Sequence, residues 1–321
     1  MSQAEQGRAF VGAPGATPLT IFLLFICGLS FSLVYSINVT ATGDGIPIFA
    51  YVFWQSFGAA AIVLVLCAVF RTWPRFTSAH LKVYGLTGAL NLAIPYAVLS
   101  YVAQKVPSGV LSLGLTLVPI LVYGLALIVG IDRLRLRRVV GILVGFAGVL
   151  LVLVPRASLP EPDMVGWVLL GLVAPLCYAV NATIIALMRP PATGSLALGF
   201  GLLSSSALLG FIAMVVTGQF WAFPAPWSPA DWATLLAMAN NAVSYVLVFE
   251  IIRRAGPVVF STTNYIATLA GMGFGIWFFG DRPSVWIWAA LALMFLGLFL
   301  VNFPGRLPLN RIALRRNSSN A

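Results

Sequence analysis

The chain has 321 residues, 60% of them hydrophobic and 8% charged, with a formal net charge of +10 and a mean hydropathy of +1.00. Soluble domains carry about 25% charged residues, so a water-soluble globule is excluded, and no basic soluble module exists to carry nucleic-acid binding. The apolar runs are continuous and long enough to cross a bilayer, which predicts an all-α integral membrane protein rather than a β-barrel of alternating polarity.

Residues 1–17 hold no short apolar core with a cleavage site and read as a cytoplasmic tail, not a signal peptide. Ten spans are predicted, at 19–40, 47–70, 82–104, 108–130, 137–155, 165–187, 195–217, 232–252, 258–280 and 284–303. The first carries YSINVT, whose Tyr35 and Asn38 are three apart and share a helix face. The third holds Asn91, Pro95 and Tyr96 near its middle, and the fourth holds Thr116 and Pro119, the latter a candidate hinge. Gly141, Gly145 and Gly148 in the fifth read as close-packing contacts. A periplasmic linker, 156–164, leads to the sixth span, where YAVNAT places Tyr178 and Asn181 on one face. The eighth contains Asn240, Ser244 and Tyr245, then Glu250 near its end. Arg253 and Arg254 follow three and four positions on, so Glu250 reads as an interfacial ion pair or a gating and coupling residue. Asn264 and Tyr265 lie in the ninth, and the basic tail 305–321 follows the tenth.

Orientation follows from the basic residues. With a cytoplasmic N-terminus, the clusters Arg71–Arg75–Lys82, Arg133–Arg135–Arg137–Arg138, Arg189, Arg253–Arg254 and the arginines of the C-terminal tail all fall on the cytoplasmic side with Arg8. Only Lys105, Arg156 and Arg282 of the 18 basic residues fall opposite. The positive-inside bias therefore predicts both termini in the cytoplasm, with anionic headgroups as lipid partners. The three cysteines, Cys27, Cys67 and Cys177, lie in spans and form no disulfide framework, and the single histidine, His80, reads as an interfacial residue rather than a metal ligand.

The pattern repeats. YSINVT recurs as YAVNAT 143 residues on, NLAIPY (91–96) as NNAVSY (240–245) 149 on, and Asp132 of GIDR as Asp281 of GDR 149 on. Three matches in the same order divide the chain into repeats at 18–155 and 165–304. Five spans is an odd number, so the second half enters the membrane from the opposite side. Inverted repeats are a hallmark of transporters, with substrate held at the repeat interface near the midplane.

These phrases resemble the drug/metabolite transporter superfamily and, within it, the EamA family of ten-helix bacterial carriers. YSINV and YAVNA occupy the place of that family's Trp-Gly/Ala-x-Asn phrase. GIDRLRLRRVVGILVGFAGVLLV and GDRPSVWIWAALALMFLGLFLV resemble its Gly-Glu motif with a glycine-rich helix. Tyr35 and Tyr178 stand where tryptophan is usual, Asp132 and Asp281 where glutamate is usual, and Pro119 matches the family's mid-helix proline, whereas the ninth span has Thr268. The resemblance implies an inner-membrane metabolite transporter, most commonly an exporter of amino acids and related small molecules.

Side chains left unpaired in lipid must face protein or water. Tyr35, Asn38, Asn91, Tyr96, Thr116, Tyr178, Asn181, Asn240, Ser244, Tyr245, Asn264 and Tyr265 are therefore expected to line a central cavity of amides, hydroxyls and rings. Each of the Asn, Ser and Thr residues also has a purely structural reading, as a hydrogen bond between helices. No charged residue lies at the centre of any span, which predicts a neutral or zwitterionic substrate rather than a phosphorylated one. No cofactor is implied; a proton is the candidate coupling ion. The rival transport reading is import of a vitamin or nucleoside-like solute. A membrane-embedded enzyme would need a nucleophile–base pair or metal ligands within the spans, and a scaffold would not require an inverted repeat.

Overall fold

The computed structural model describes residues 17–43, 45–102, 117–153, 165–267, 269–270 and 285–302. Among them every regular element is helical. The first half contains α1 (Pro18–Gly43), α2 (Ile48–Val69), α3 (Ser78–Gly88), a π-helical segment (Ala89–Ala93), α4 (Ile94–Val102), α5 (Val118–Ile128) and α6 (Leu136–Leu153). The second contains α7 (Val165–Gly171), α8 (Val173–Met188), α9 (Ser195–Thr217), α10 (Pro229–Ser261) and α11 (Val285–Asn302).

Among the described residues the helices fall on predicted spans, with three differences in their interiors; most of 103–116 and 268–284, in the fourth, ninth and tenth spans, lies outside the described residues. The third is not one α-helix but α3, the π segment and α4 in series. The sixth is interrupted by a turn at Leu172, between α7 and α8. The eighth and the start of the ninth run together as α10, broken at Gly256, whose φ of 83° and ψ of 170° are accessible to glycine and strained for any other residue. Pro257 follows at once, so the chain turns the corner with almost no loop.

Local chemistry explains the boundaries. Ser228 and Asp231 form a reciprocal capping box at the start of α10, with Pro229 in the first turn where its missing N–H costs nothing. α9 stops at Gly218, which takes the left-handed conformation (φ 68°) of a helix C-terminus.

Burial runs opposite to that of a soluble protein. Phe22, Phe25, Val65, Val69, Leu208, Val216, Phe295 and Phe299 stand exposed on helix flanks, while Gln55, Ser56, Asn181, Thr234, Asn241 and Ser244 are buried. Exposed apolar flanks of this extent suit hydrocarbon, not water. Four helical stretches, Ile48–Val69, Leu169–Met188, Ser195–Thr217 and Pro229–Ser261, are individually long and apolar enough to cross a membrane. The chain is a multi-pass membrane protein.

Packing repeats with the sequence. α1 lies along α10, and correspondingly α8 lies along α4, the π segment and α3. α2 meets α10, and its counterpart α9 meets α3. α5 packs on α8, while α1 packs on residues 260–266 through Phe31 against Phe260 and Gly28 against Ile266. The pairs α2–α9 and α6–α11 map onto themselves. In the last pair, a Cβ on Gly297 would come within 2.6 Å of the Gly141 carbonyl and 2.8 Å of the Gly145 Cα. These glycines are the close contact expected from the sequence.

Candidate functional site

The π segment Ala89–Ala93 contains Asn91. Pro95, four residues on, has no N–H to offer the Asn91 carbonyl, and its ring would crowd that carbonyl in a regular helix. The backbone widens instead: the Ile94 N–H reaches back five residues to the Ala89 carbonyl. Such single-turn π segments inside α-helices concentrate at functional sites.

Asn181 of α8 faces this turn. Its Nδ2 donates to Asn91 Oδ1 at 3.1 Å. Asn181 is only 3% exposed, and its own Oδ1 has no hydrogen-bond partner among the described residues. A buried acceptor left unmet costs about 1–3 kcal/mol. Tyr178, one turn earlier, is half-buried against the main apolar cluster.

The corresponding residues of the other half are arranged differently. Asn38 Oδ1 accepts from the buried Tyr51 hydroxyl at 2.5 Å, joining α1 to α2. Asn240 Nδ2 donates to the Ser30 carbonyl at 3.0 Å, joining α10 to α1. Ser244 Oγ donates to the Asn240 carbonyl at 2.8 Å, one turn back in the same helix. Tyr245 is buried in the main cluster. Asn38 and Asn181 thus sit five and seven residues from the ends of their helices; Asn181 meets Asn91 of the other half, whereas Asn38 accepts from Tyr51 of its own half.

Further along, Asn264 Nδ2 donates to the Ser261 carbonyl at 3.2 Å. The Tyr265 hydroxyl donates to the Ile142 carbonyl at 3.2 Å, and its ring lies against Gly145, so Tyr265 ties residues 263–267 to α6. Pro119 is in the first turn of α5, not in mid-helix: α5 begins at Val118, so the proline sits where its missing N–H is tolerated. The side chains of Tyr35 and Tyr96, and all of Thr116, Thr268 and Asp281, lie outside the described residues.

A third polar locus was missed in the sequence. Asn241 Nδ2 donates to Gln55 Oε1 at 2.8 Å across the α10–α2 interface, while Gln55 Nε2 and Ser56 Oγ have no partner among the described residues. All three residues are buried. Gln55 was the legible signal: it is the one full amide in the apolar stretch of α2.

Charge is kept to the helix ends. Glu250 accepts from Ser195 Oγ at 2.7 Å, from Arg253 Nε at 2.9 Å and from Arg254 Nε at 2.6 Å, a local ion-pair cluster that also joins α9 to α10. Arg189, in the turn after α8, donates to the carbonyls of Phe249 (3.0 Å) and Thr193 (2.8 Å) and to Ser195 Oγ (3.2 Å). Burial, with the neighbouring Arg253 cation, pushes the Arg189 guanidinium down to about 10, against the opposing pull of Glu250. It stays charged at neutral pH. His80, in the first turn of α3, is buried within the protein and bridges Thr77 Oγ1 (2.7 Å) and Thr193 Oγ1 (2.9 Å). No metal-holding group of His, Cys, Asp or Glu occurs among the described residues.

The polar groups thus come from both halves and can offer hydrogen bonds to a small uncharged or zwitterionic solute. Comparison with known proteins bears on what such an arrangement is used for. The model of the EamA-like transporter family matches twice, over residues 18–154 and 165–303. A solved chain described only as a crystal structure of a protein superposes with a TM-score of 0.69 at 16% identity, over 93% of this chain and 98% of that one. At that identity the likeness is one of fold. No curated protein matches.

Proposed function

The chain belongs to the EamA-like transporter family, a membrane transporter of the drug/metabolite type, and on that premise we propose that it is an alternating-access secondary carrier. Its substrate on this reading is a small neutral or zwitterionic amphipathic metabolite, an amino acid or a related compound, and the direction is export. The two halves are inverted repeats, and both termini are cytoplasmic in a bacterial inner membrane. The packing pairs that recur between the halves support the inversion, since one arrangement can rock into its counterpart around a site held between them.

The observation that carries this reading is the Asn181–Asn91 contact. A buried amide from one repeat meets a π turn of the other, and one acceptor oxygen is left without a partner. A structural hydrogen bond between helices would be complete by itself; an acceptor held open at a repeat interface suits a ligand donor. Glu250 has four hydrogen-bonding contacts from Ser195, Arg253 and Arg254, and in this reading it holds α9 to α10 at one end of the pathway.

The test is transport by purified protein in liposomes, screened across amino acids, vitamins and phosphorylated solutes. Asn181→Ala and Asn91→Ala should each cut uptake of the accepted solute about tenfold with unchanged membrane expression. Unchanged transport in both variants would remove the pair from the pathway. A preference for phosphorylated solutes would overturn the substrate class.

A further inference from the structure

At the arginine-rich end of the bundle, a crevice opens between the turn joining α5 to α6 and the glycine corner of α10. Asp132, Arg135 and Arg138 line it from the first repeat, and Ala255, Gly256 and Pro257 from the second. The first wall is stiff. The buried Tyr123 hydroxyl donates to the Arg133 carbonyl at 3.2 Å and accepts from the Arg135 N–H at 2.9 Å, and Asp132 Oδ1 accepts from the Arg133 N–H at 2.8 Å. With its backbone tied inward, this turn leaves Arg133 and Arg135 exposed.

Arg135 and Arg138 line the crevice, and Arg133, Arg137, Arg253 and Arg254 lie close to its lining residues in the chain; among the described residues two carboxylates pair with members of this set. Asp132 pairs with Arg138, and Glu250 with Arg253 and Arg254. Arg137 lies over the Phe299 ring at 5.8 Å. Arg133 and Arg135 have no acidic partner among the described residues. The turn is also apolar: Ile128, at the end of α5, is 82% exposed, and Leu134 and Leu136, interleaved with the arginines in sequence, are 74% and 78% exposed. A guanidinium fork matches a phosphate, and the neighbouring apolar side chains match acyl chains.

We propose that this crevice binds the phosphate headgroup of an anionic phospholipid at its mouth, held by Arg135 of its lining and by Arg133, exposed two residues earlier on the same turn. The shared chemistry, a phosphate ester, could equally arrive as a soluble phosphate. The apolar turn favours the lipid, because a soluble ion gains nothing from Leu134 and Leu136. The inference depends on the chain being a membrane protein and not on any reading of its substrate.

The test measures binding of phosphatidylglycerol and phosphatidylcholine to the purified full-length chain by native mass spectrometry. Phosphatidylglycerol should be retained preferentially. The double variant Arg133→Gln/Arg135→Gln should weaken it about 25-fold, from roughly fivefold per arginine. Arg133→Lys/Arg135→Lys, which keeps the charge and controls for folding, should weaken it less. Arg71→Gln/Arg75→Gln removes two exposed arginines from another turn and should have little effect. Equal losses from the two glutamine pairs would reduce the site to diffuse surface charge and overturn the proposal, as would equal retention of the two lipids. Displacement of phosphatidylglycerol by sn-glycerol phosphate at matched concentration would overturn the lipid as the occupant.

Discussion

The phrases NLAIPY and NNAVSY stand at matched places in the two repeats, yet their backbones differ. At the fifth position the first has Pro95 and the second Ser244. Pro95 takes a donor away from the Asn91 carbonyl, and the helix widens into a π turn. Ser244 adds a donor to the Asn240 carbonyl, and α10 continues as a regular helix. One substitution thus inverts the local hydrogen-bond balance at the same register. The amide partners follow: Asn91 receives Asn181, whereas Asn240 reaches the Ser30 backbone and Asn38 goes to Tyr51. A two-fold repeat in sequence has become an asymmetric pair of polar contacts.

The comparison can be broken most severely by forcing the second copy to imitate the first. Ser244→Pro puts a ring into the buried interior of α10 without the π turn that accommodates Pro95, and should cost about 3 kcal/mol or more. Thermal unfolding in detergent reads this as a large fall in Tm or loss of folded protein. A smaller effect is expected from Asn38→Ala. It removes the hydrogen bond that joins the buried Tyr51 hydroxyl to α1, a loss of about 0.5–1.5 kcal/mol, and in the Tyr51→Phe background the same Asn38→Ala change should cost less.

Asn181→Ala separates stability from transport. It removes one hydrogen bond but also the unmet Oδ1, so its stability cost should stay near or below 1 kcal/mol. Its transport defect should still be about tenfold, equivalent to about 1.4 kcal/mol. If Asn181→Ala destabilises as much as Asn38→Ala with no separate transport loss, the two positions play the same structural role. Ser244→Ala, the gentlest probe, loses only a hydroxyl already bonded within its helix, and should shift stability by about 0.5 kcal/mol or less and leave transport rates unchanged.

Much of the architecture was legible because bilayers constrain sequence severely. The helical character of the chain and the close packing at Gly141 and Gly145 follow from apolar length and side-chain size. Parts of the polar constellation were legible for the same reason, since Asn91, Asn181 and Asn240 are conspicuous among Leu, Val and Ala. Gln55 lies outside the repeated phrases, and Asn241 lies inside NNAVSY but opposite Leu92 of NLAIPY, so the repeat itself gives neither amide a polar counterpart. The break at Leu172 and the burial of His80 by Thr77 and Thr193 had no local signal.

The sequence by itself determined that this is a membrane helix bundle with two related halves, because hydrophobic length and a repeated register are one-dimensional properties. It also determined where a helix must yield, since Pro95 lacks an N–H in any fold. Only the tertiary structure decided which amide meets which. Asn38 and Asn181 share a tyrosine three residues before and a threonine two residues after, but hydrogen bonds form across helix faces, and those faces are set by crossing and packing that no single segment encodes.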